Sequence, residues 1–163
     1  MKIGFIGLGI MGEPMARNIL KKHDDAIFVF NRTRSKEAGL LAEGAGKVED
    51  AADLARKSDI IITMVTRGRD VEELFSQIKG ELKEGKTWVD MSTIEADISV
   101  SIARQVQQLG ADFADAPVVK SRLIRCGTNR VDTPSLSMRT EMSYSFTSEV
   151  SQLCSGRFWS KIC

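Results

Sequence analysis

The fold of this chain is decided by residues 2–12, which read Lys2-Ile3-Gly4-Phe5-Ile6-Gly7-Leu8-Gly9-Ile10-Met11-Gly12. The first five form an apolar run, typical of a strand in a parallel sheet that is covered by helices on both faces. After the glycines, residues 13–20 carry their apolar side chains at helical spacing. The stretch therefore predicts a buried strand, a tight turn and a helix.

The three glycines that follow the strand have three separate predicted roles. Gly7 permits the tight turn, Gly9 lets an anion approach the backbone without meeting a Cβ atom, and Gly12 lets the helix pack close to the strand. The N-terminal N–H groups of the helix and its positive dipole end point at that anion. We therefore expect a phosphate-binding loop whose members are Gly7, Leu8, Gly9, Ile10, Met11 and Gly12.

A second apolar strand at residues 26–30 makes the cofactor prediction more specific. A G-x-G-x-x-G pattern alone is a weak signal, but here a strand precedes it, a helix follows it, and the second strand ends at Asn31, 24 residues after Gly7. Domains that prefer NAD place Asp or Glu near this position to accept the ribose 2′-hydroxyl, whereas this chain has Asn31-Arg32-Thr33-Arg34. Two guanidinium groups without a carboxylate favour NADP over NAD; the alternative interpretation is a pair of solvated loop arginines.

The sequence continues to alternate between strand and helix patterns as far as residue 118. We predict helices at 35–43, 49–57, 69–78 and 92–109 and strands at 44–48, 59–65, 87–91 and 111–118. Six strands connected by helices predict an α/β fold with a doubly wound, mainly parallel, Rossmann-type sheet. Ligands of such sheets lie beyond the carboxyl ends of the strands, so Met64, Val65 and Thr93 are expected to line the cofactor, and Thr93 is also the candidate substrate contact.

The start of the last helix carries a capping pattern. Ser92 is followed three residues later by Glu95, ahead of apolar residues at helical spacing. This arrangement is typical of a capping box, in which the serine hydroxyl binds a backbone N–H of the first turn. We therefore expect Ser92 to cap the helix.

Several of these segments resemble the β-hydroxyacid dehydrogenases, the family of 3-hydroxyisobutyrate dehydrogenase, tartronate semialdehyde reductase and the glyoxylate/succinic semialdehyde reductases. Residues 4–19 resemble its N-terminal signature, Asn31-Arg32-Thr33 its NADP-preferring reductase branch, Asp90-Met91-Ser92-Thr93-Ile94 its segment beside the nicotinamide, and Asp115-Ala116-Pro117-Val118 the opening of its substrate-binding segment. The resemblance implies hydride transfer between NADP(H) and a small β-hydroxy acid or its aldehyde.

The sequence changes character after Val118. Residues 119–163 contain no alanine, nine serines and all three cysteines, whereas residues 1–118 contain 13 alanines and no cysteine. The family's small polar loop, its all-α domain and its catalytic lysine are not recognisable beyond this point, so we assign no catalytic residue and expect little turnover. We predict a dinucleotide-binding domain at 1–118 and an unrelated tail at 119–163, produced by a shifted reading frame or another gene rearrangement. The alternative is a divergent C-terminus that pairs with the sheet edge.

Composition limits the remaining function classes. A net charge of +1 and 42% hydrophobic residues indicate a globular chain with no marked affinity for nucleic acid. No apolar run reaches the roughly 18 residues of a membrane span, and the spacing of the three cysteines does not predict a metal site. We expect a cytoplasmic location. Besides an enzyme, the sequence permits a non-catalytic NADP(H)-binding module or a non-functional truncated product, whose exposed apolar surface would favour association, including homo-oligomers.

Overall fold

Strands and helices alternate along the part of the chain that the computed structural model describes, residues 1–118. The strands are β1 (Lys2–Ile6), β2 (Ala26–Phe30), β3 (Gly46–Lys47), β4 (Ile60–Thr63), β5 (Thr87–Asp90) and β6 (Asp112–Asp115). The helices are α1 (Gly12–Lys22), α2 (Ala38–Ala42), α3 (Ala51–Lys57), α4 (Gly68–Ile78) and α5 (Ala96–Gln108), with 3₁₀ turns at Arg34–Glu37 and Lys79–Glu81. The predictions for the tail at 119–163 lie outside the described residues.

The six strands form one parallel sheet in the order β3-β2-β1-β4-β5-β6. β1 lies between β2 and β4, and its last residue, Ile6, is in register with Phe30 on one side and Thr63 on the other. Successive strands are added on one side of β1 as far as β3 and on its other side from β4 onward. Open α/β sheets bind their ligands at this switch point between β1 and β4. The predicted Rossmann-type doubly wound fold is confirmed.

Apolar cores cover both faces of the sheet, which explains why polar and apolar residues do not alternate along its central strands. Phe5 packs on one face with Ala16 and Ile19 of α1, and Ile6 belongs to the core on the other face. That second core contains the fully buried Trp88, whose ring stacks on Phe75 and meets Phe113 edge to face, with centroid separations of 6.1 and 5.2 Å. Because the strands are parallel, the carboxyl ends of β1, β2, β4 and β5 lie along one edge of the sheet. Burial on both faces holds them there.

The capping box predicted at Ser92 and Glu95 is wrong. Helix α5 begins at Ala96 with Glu95 in the cap position, and no side chain donates or accepts a capping hydrogen bond there. Ser92 is fully buried, and its hydroxyl donates to Asp90 and accepts from the N–H of Val65. The hydroxyl of Ser92 therefore connects the end of β4 to the end of β5. It does not cap the helix because Asp90 and the N–H of Val65 already bind it.

Other element bounds differ from the prediction by a few residues. The helix predicted at 35–43 divides into the 3₁₀ turn and α2, because the turn carries Glu37 inward, where it is 1% exposed and accepts from the N–H of Asn31. β4 and β6 are shorter than the predicted segments 59–65 and 111–118. The bounds of β1 and β2 agree with the sequence prediction.

Within residues 1–118 the helices are too short or too polar to cross a membrane. The same residues contain no group of three histidine, cysteine, aspartate or glutamate side chains that could hold a metal ion.

Candidate functional site

Gly7 makes the turn at the end of β1. It has a φ of +99°, a backbone conformation that other L-residues rarely adopt, and its N–H donates to the carbonyl of Phe30 at 3.0 Å. A Cβ atom at Gly7 would collide with the carbonyl oxygen of Met64. Close approach of β4 to this turn therefore requires the glycine.

Gly12 allows α1 to begin directly against the same turn. A Cβ atom at Gly12 would collide with the carbonyl oxygen of Gly7 and lie 3.3 Å from the ring of Phe5. The neighbouring groups are backbone and a buried core ring, so neither can move aside at low cost. Gly12 has the helix-packing environment that the sequence predicts.

Gly9 differs from both neighbouring glycines because nothing in residues 1–118 requires a glycine there. Its φ lies outside the left-handed region, and a Cβ atom there would meet no heavy atom within 4 Å. Beside it, the side chain of Ile10 is 94% exposed and no side chain caps the start of α1. The glycine loop therefore leaves open space at the N-terminus of an 11-residue helix, the position at which such helices bind anions.

Asn31 ties the end of β2 to the glycine loop. Its Oδ1 accepts from the N–H of Leu8 at 2.8 Å, and its Nδ2 donates to the carbonyl of Thr33 at 2.9 Å. Its own N–H donates to the buried carboxylate of Glu37 at 2.8 Å. Asn31 therefore orients both the glycine loop and the loop after β2. Glu37, which the sequence prediction missed, holds Asn31 in place by accepting its N–H.

The two arginines predicted to recognise a 2′-phosphate have different environments. Arg32 points outward with its side chain 85% exposed, and its Nη1 lies 3.7 Å from Oδ1 of Asp70. Arg34 instead donates to Glu37 at 3.1 Å and to the carbonyl of Val48, and its guanidinium lies over the ring of Phe30. The prediction of two available guanidinium groups is therefore wrong for Arg34, which stabilises the turn after β2.

The predicted residues after β4 and β5 lie beside the same edge of the sheet. Met64 and Val65 are partly buried and pack against the cores on opposite faces, while Thr93 is exposed. Thr93 and Gly68 contribute to the lining of a cleft of about 440 Å³ between the loops that follow β4 and β5. The structure thus brings the glycine loop, Asn31, Arg32 and the β4 loop to one side of the sheet.

A buried hydrogen-bond network fixes the loops after β4 and β5. Asp90 is fully buried, and its Oδ1 accepts from the hydroxyls of Thr63 and Ser92, each at 2.7 Å. Thr63 accepts from the indole N–H of Trp88 at 2.9 Å, and Ser92 accepts from the N–H of Val65 at 2.9 Å. The sequence carries only one signal of this network, a polar residue at the end of each of these apolar strands, and the network was not predicted.

The second carboxylate oxygen of Asp90 is buried and has no hydrogen-bond partner among residues 1–118. Burial raises the pKa of Asp90, and the nearby Asp115 carboxylate adds to that rise, whereas hydrogen bonds from Ser92 and Thr63 oppose it. The charged form of Asp90 is therefore disfavoured in the folded chain.

Replacing Asp90 with asparagine is expected to change the pH dependence of stability. Because the folded-state pKa is raised, the contribution of Asp90 is fully present below the ordinary aspartate pKa and is lost as pH rises through the folded-state pKa. Asp90→Asn removes the ionisation, so the stability of the variant relative to the wild-type chain should rise by about 1 kcal/mol as pH rises through that range. Urea unfolding at pH values from 4 to about 8 measures this difference.

The control for this experiment is Asp24→Asn, which removes a carboxylate from an exposed turn. Its stability should follow that of the wild-type chain at every pH. If Asp90→Asn also runs parallel to wild type, the buried charge does not limit stability.

The described site belongs to a known class of domain. Residues 2–123 match the family described as the NAD binding domain of 6-phosphogluconate dehydrogenase. Since the match covers most of the chain, the chain belongs to this family of NAD-binding domains.

The relatives by sequence are β-hydroxyacid dehydrogenases, which confirms the resemblance found in the sequence. The chain is 46% identical over 123 residues to 2-hydroxy-3-oxopropionate reductase of Escherichia coli, a match that covers 72% of this chain and 41% of that protein. It is 37% identical over 119 residues to mitochondrial 3-hydroxyisobutyrate dehydrogenase of Bos taurus, with 71% and 35% covered. The chain therefore spans well under half the length of these relatives.

Solved structures give the same relationship. The 3-hydroxyisobutyrate dehydrogenase of Mycobacterium tuberculosis, solved with L-serine, matches with a TM-score of 0.68 and 26% identity, covering 72% of this chain and 40% of that chain. An imine reductase from Myxococcus stipitatus in complex with NADP⁺ matches with a TM-score of 0.66 and 26% identity, covering 71% and 40%. Both alignments cover a share of the chain similar to that covered by the sequence relatives.

Proposed function

We propose that residues 1–118 bind NADP(H) for a β-hydroxyacid dehydrogenase reaction, the transfer of hydride between NADP(H) and a small 3-hydroxy acid or its aldehyde. The observation that carries the proposal is the open space at Gly9. Neither backbone conformation nor packing against the described part of the chain explains a glycine there, whereas a pyrophosphate against the backbone does. The preference for NADP rests on the exposed guanidinium of Arg32.

Each predicted site residue has a role in this proposal. The glycine loop, comprising Gly7, Leu8, Gly9, Ile10, Met11 and Gly12, holds the pyrophosphate, with the start of α1 supplying N–H groups. Arg32 binds the 2′-phosphate, while Asn31 and Thr33 shape the ribose site. Met64, Val65 and Thr93 line the adenosine and nicotinamide-ribose region. The nicotinamide, when bound, supplies the hydride, and the residues of this domain orient it.

The substrate class follows from the relatives. Their names specify 2-hydroxy-3-oxopropionate and 3-hydroxyisobutyrate, and we propose a small β-hydroxy acid or semialdehyde of the same class here, with Thr93 as a contact. The catalytic lysine and helical domain that the resemblance implies are not recognisable in the sequence of residues 119–163, and we assign no catalytic residue. The expectations of little turnover, of a cytoplasmic location and of homo-oligomers remain predictions.

Replacing Arg32 with alanine is expected to weaken NADPH binding by about tenfold or more and NADH binding by less than about threefold. The loss corresponds to a charge-assisted hydrogen bond of about 1.5–3 kcal/mol between the guanidinium and a 2′-phosphate, a group that NADH lacks. Fluorescence titrations of the full chain with both dinucleotides measure the two dissociation constants.

Arg104→Ala serves as the matched control, because it removes an exposed arginine from α5. It should change neither dissociation constant by more than about twofold. Equal weakening of NADPH and NADH by Arg32→Ala would contradict the assignment of Arg32 to the 2′-phosphate.

A further inference from the structure

Asp70 brings a carboxylate to the end of β2 from a distant part of the sequence. It lies in the first turn of α4, its side chain is 23% exposed, and its Oδ1 is 3.7 Å from Nη1 of Arg32. The sequence after β2 has no carboxylate in the ribose-reading positions 31–34. The fold supplies one there instead.

The first turn of α4 holds Asp70 in a fixed position. Val71 is fully buried in the core, and Gly68 packs so closely against Glu95 and Ile98 that a Cβ atom would collide with both side chains. The side chain of Arg32, by contrast, is 85% exposed. Arg32 can therefore leave the ion pair, whereas Asp70 stays beside the position that a 2′-phosphate would occupy.

An ion pair of this kind contributes little to stability, because the guanidinium of Arg32 is well solvated and its Nη1 is 3.7 Å from Oδ1 of Asp70. It nevertheless places a negative charge next to the guanidinium that a phosphate dianion must engage. The phosphate has to replace the carboxylate as the partner of Arg32 and remain close to a like charge. A dinucleotide without the 2′-phosphate meets neither obstacle.

We propose that Asp70 is a specificity-determining residue that competes with the 2′-phosphate for Arg32 and so lowers the preference of this domain for NADP(H) over NAD(H). This inference rests on the proposed function, in which Arg32 is the phosphate ligand. Asp70 acts through Arg32 and makes no contact of its own with the dinucleotide.

A double-mutant cycle on the full chain tests the proposal. Asp70→Asn should tighten NADPH binding by about threefold to fivefold and change NADH binding by less than twofold, in line with the modest energy of an exposed pair. In the Arg32→Ala background, Asp70→Asn should change NADPH binding by less than twofold. The gain should also shrink as salt is raised to about 1 M, where the charges are screened.

Glu72→Gln is the matched control, since it removes one exposed carboxylate from the same helix. It should leave both dissociation constants within about twofold of wild type. A stronger effect would indicate that the overall charge of α4 matters, which would overturn a specific role for Asp70.

The outcomes separate this inference from the proposed function. If Arg32→Ala selectively weakens NADPH but Asp70→Asn has no effect or weakens NADPH, Asp70 does not compete and the inference is wrong while the proposed function stands. If Asp70→Asn weakens NADH, the carboxylate contacts the ribose and the inference is also wrong. If Arg32→Ala affects both dinucleotides equally, the proposed role of Arg32 fails first.

Discussion

Gly9→Ala is expected to weaken NADPH binding about a hundredfold while leaving the free energy of unfolding within about 0.5 kcal/mol of the wild-type value. The methyl group would enter open space in the free chain, and alanine tolerates the backbone conformation there. In the complex, the same methyl group would hold the pyrophosphate away from the N–H groups at the start of α1, with the loss of charge-assisted hydrogen bonds of about 1.5–3 kcal/mol each. Titration with NADPH and urea unfolding measure the two effects.

Gly12→Ala provides the contrast, because the same change three residues later should destabilise the fold and not only weaken binding. Its Cβ atom would collide with the carbonyl oxygen of Gly7, a residue whose N–H is held by the carbonyl of Phe30. The backbone would have to shift at the centre of the sheet, and we expect a loss of more than about 2 kcal/mol of stability. Far-UV circular dichroism during urea unfolding follows this loss.

The pair of variants distinguishes a binding role from a structural role within one loop. Normal NADPH affinity in a folded Gly9→Ala chain would contradict the assignment of the pyrophosphate to this loop. Equal destabilisation by both alanines would mean that Gly9, like Gly12, is required by the chain's own packing.

The glycine loop and the central strands were predictable because their signals are local. β1 and β2 are short apolar runs covered on both faces, and their ends follow from glycine and polar residues that immediately succeed them. Gly7 is required by its positive φ, and Gly12 by the close approach of α1 to the turn. Both features belong to one short strand-turn-helix segment.

The polar partners of the site were not predictable, because they come from distant parts of the sequence. Ser92 has the spacing of a helix cap, but its hydroxyl is taken by Asp90 and by Val65, 27 residues away. Arg34 looks equivalent to Arg32 in the sequence, and only the inward position of Glu37 gives its guanidinium a partner of its own. Local propensity cannot rank such competing partners, since their relative positions are set by the completed sheet.

Lys86 lies at the amino ends of the strands, opposite the cofactor site, and carries a buried ammonium group. The residue is 8% exposed and directly precedes β5. Its Nζ donates to the carbonyls of Ala55 and Ser58, both at 2.6 Å, and to that of Arg56 at 3.3 Å. These carbonyls belong to the C-terminal end of α3, where the helix dipole favours a positive charge.

Lys86→Met is expected to reduce the free energy of unfolding by about 3 kcal/mol. Methionine preserves most of the apolar stem but leaves three carbonyls at the end of α3 without their donor, and each buried acceptor left unsatisfied costs about 1–3 kcal/mol unless water reaches it. Lys83→Met, in the exposed turn before Lys86, should change stability by less than about 0.5 kcal/mol. Urea unfolding of both variants gives the comparison.

The position of Lys86 at the amino end of β5 also predicts what this variant leaves intact. Asp90, at the carboxyl end of the same strand, carries the network beside the cofactor site, so folded Lys86→Met chains should bind NADPH with wild-type affinity when titrated well below their melting temperature. A stability loss no larger than that of Lys83→Met would show that water replaces the ammonium group at the end of α3. A loss of affinity in the folded variant would instead mean that the two ends of β5 are coupled.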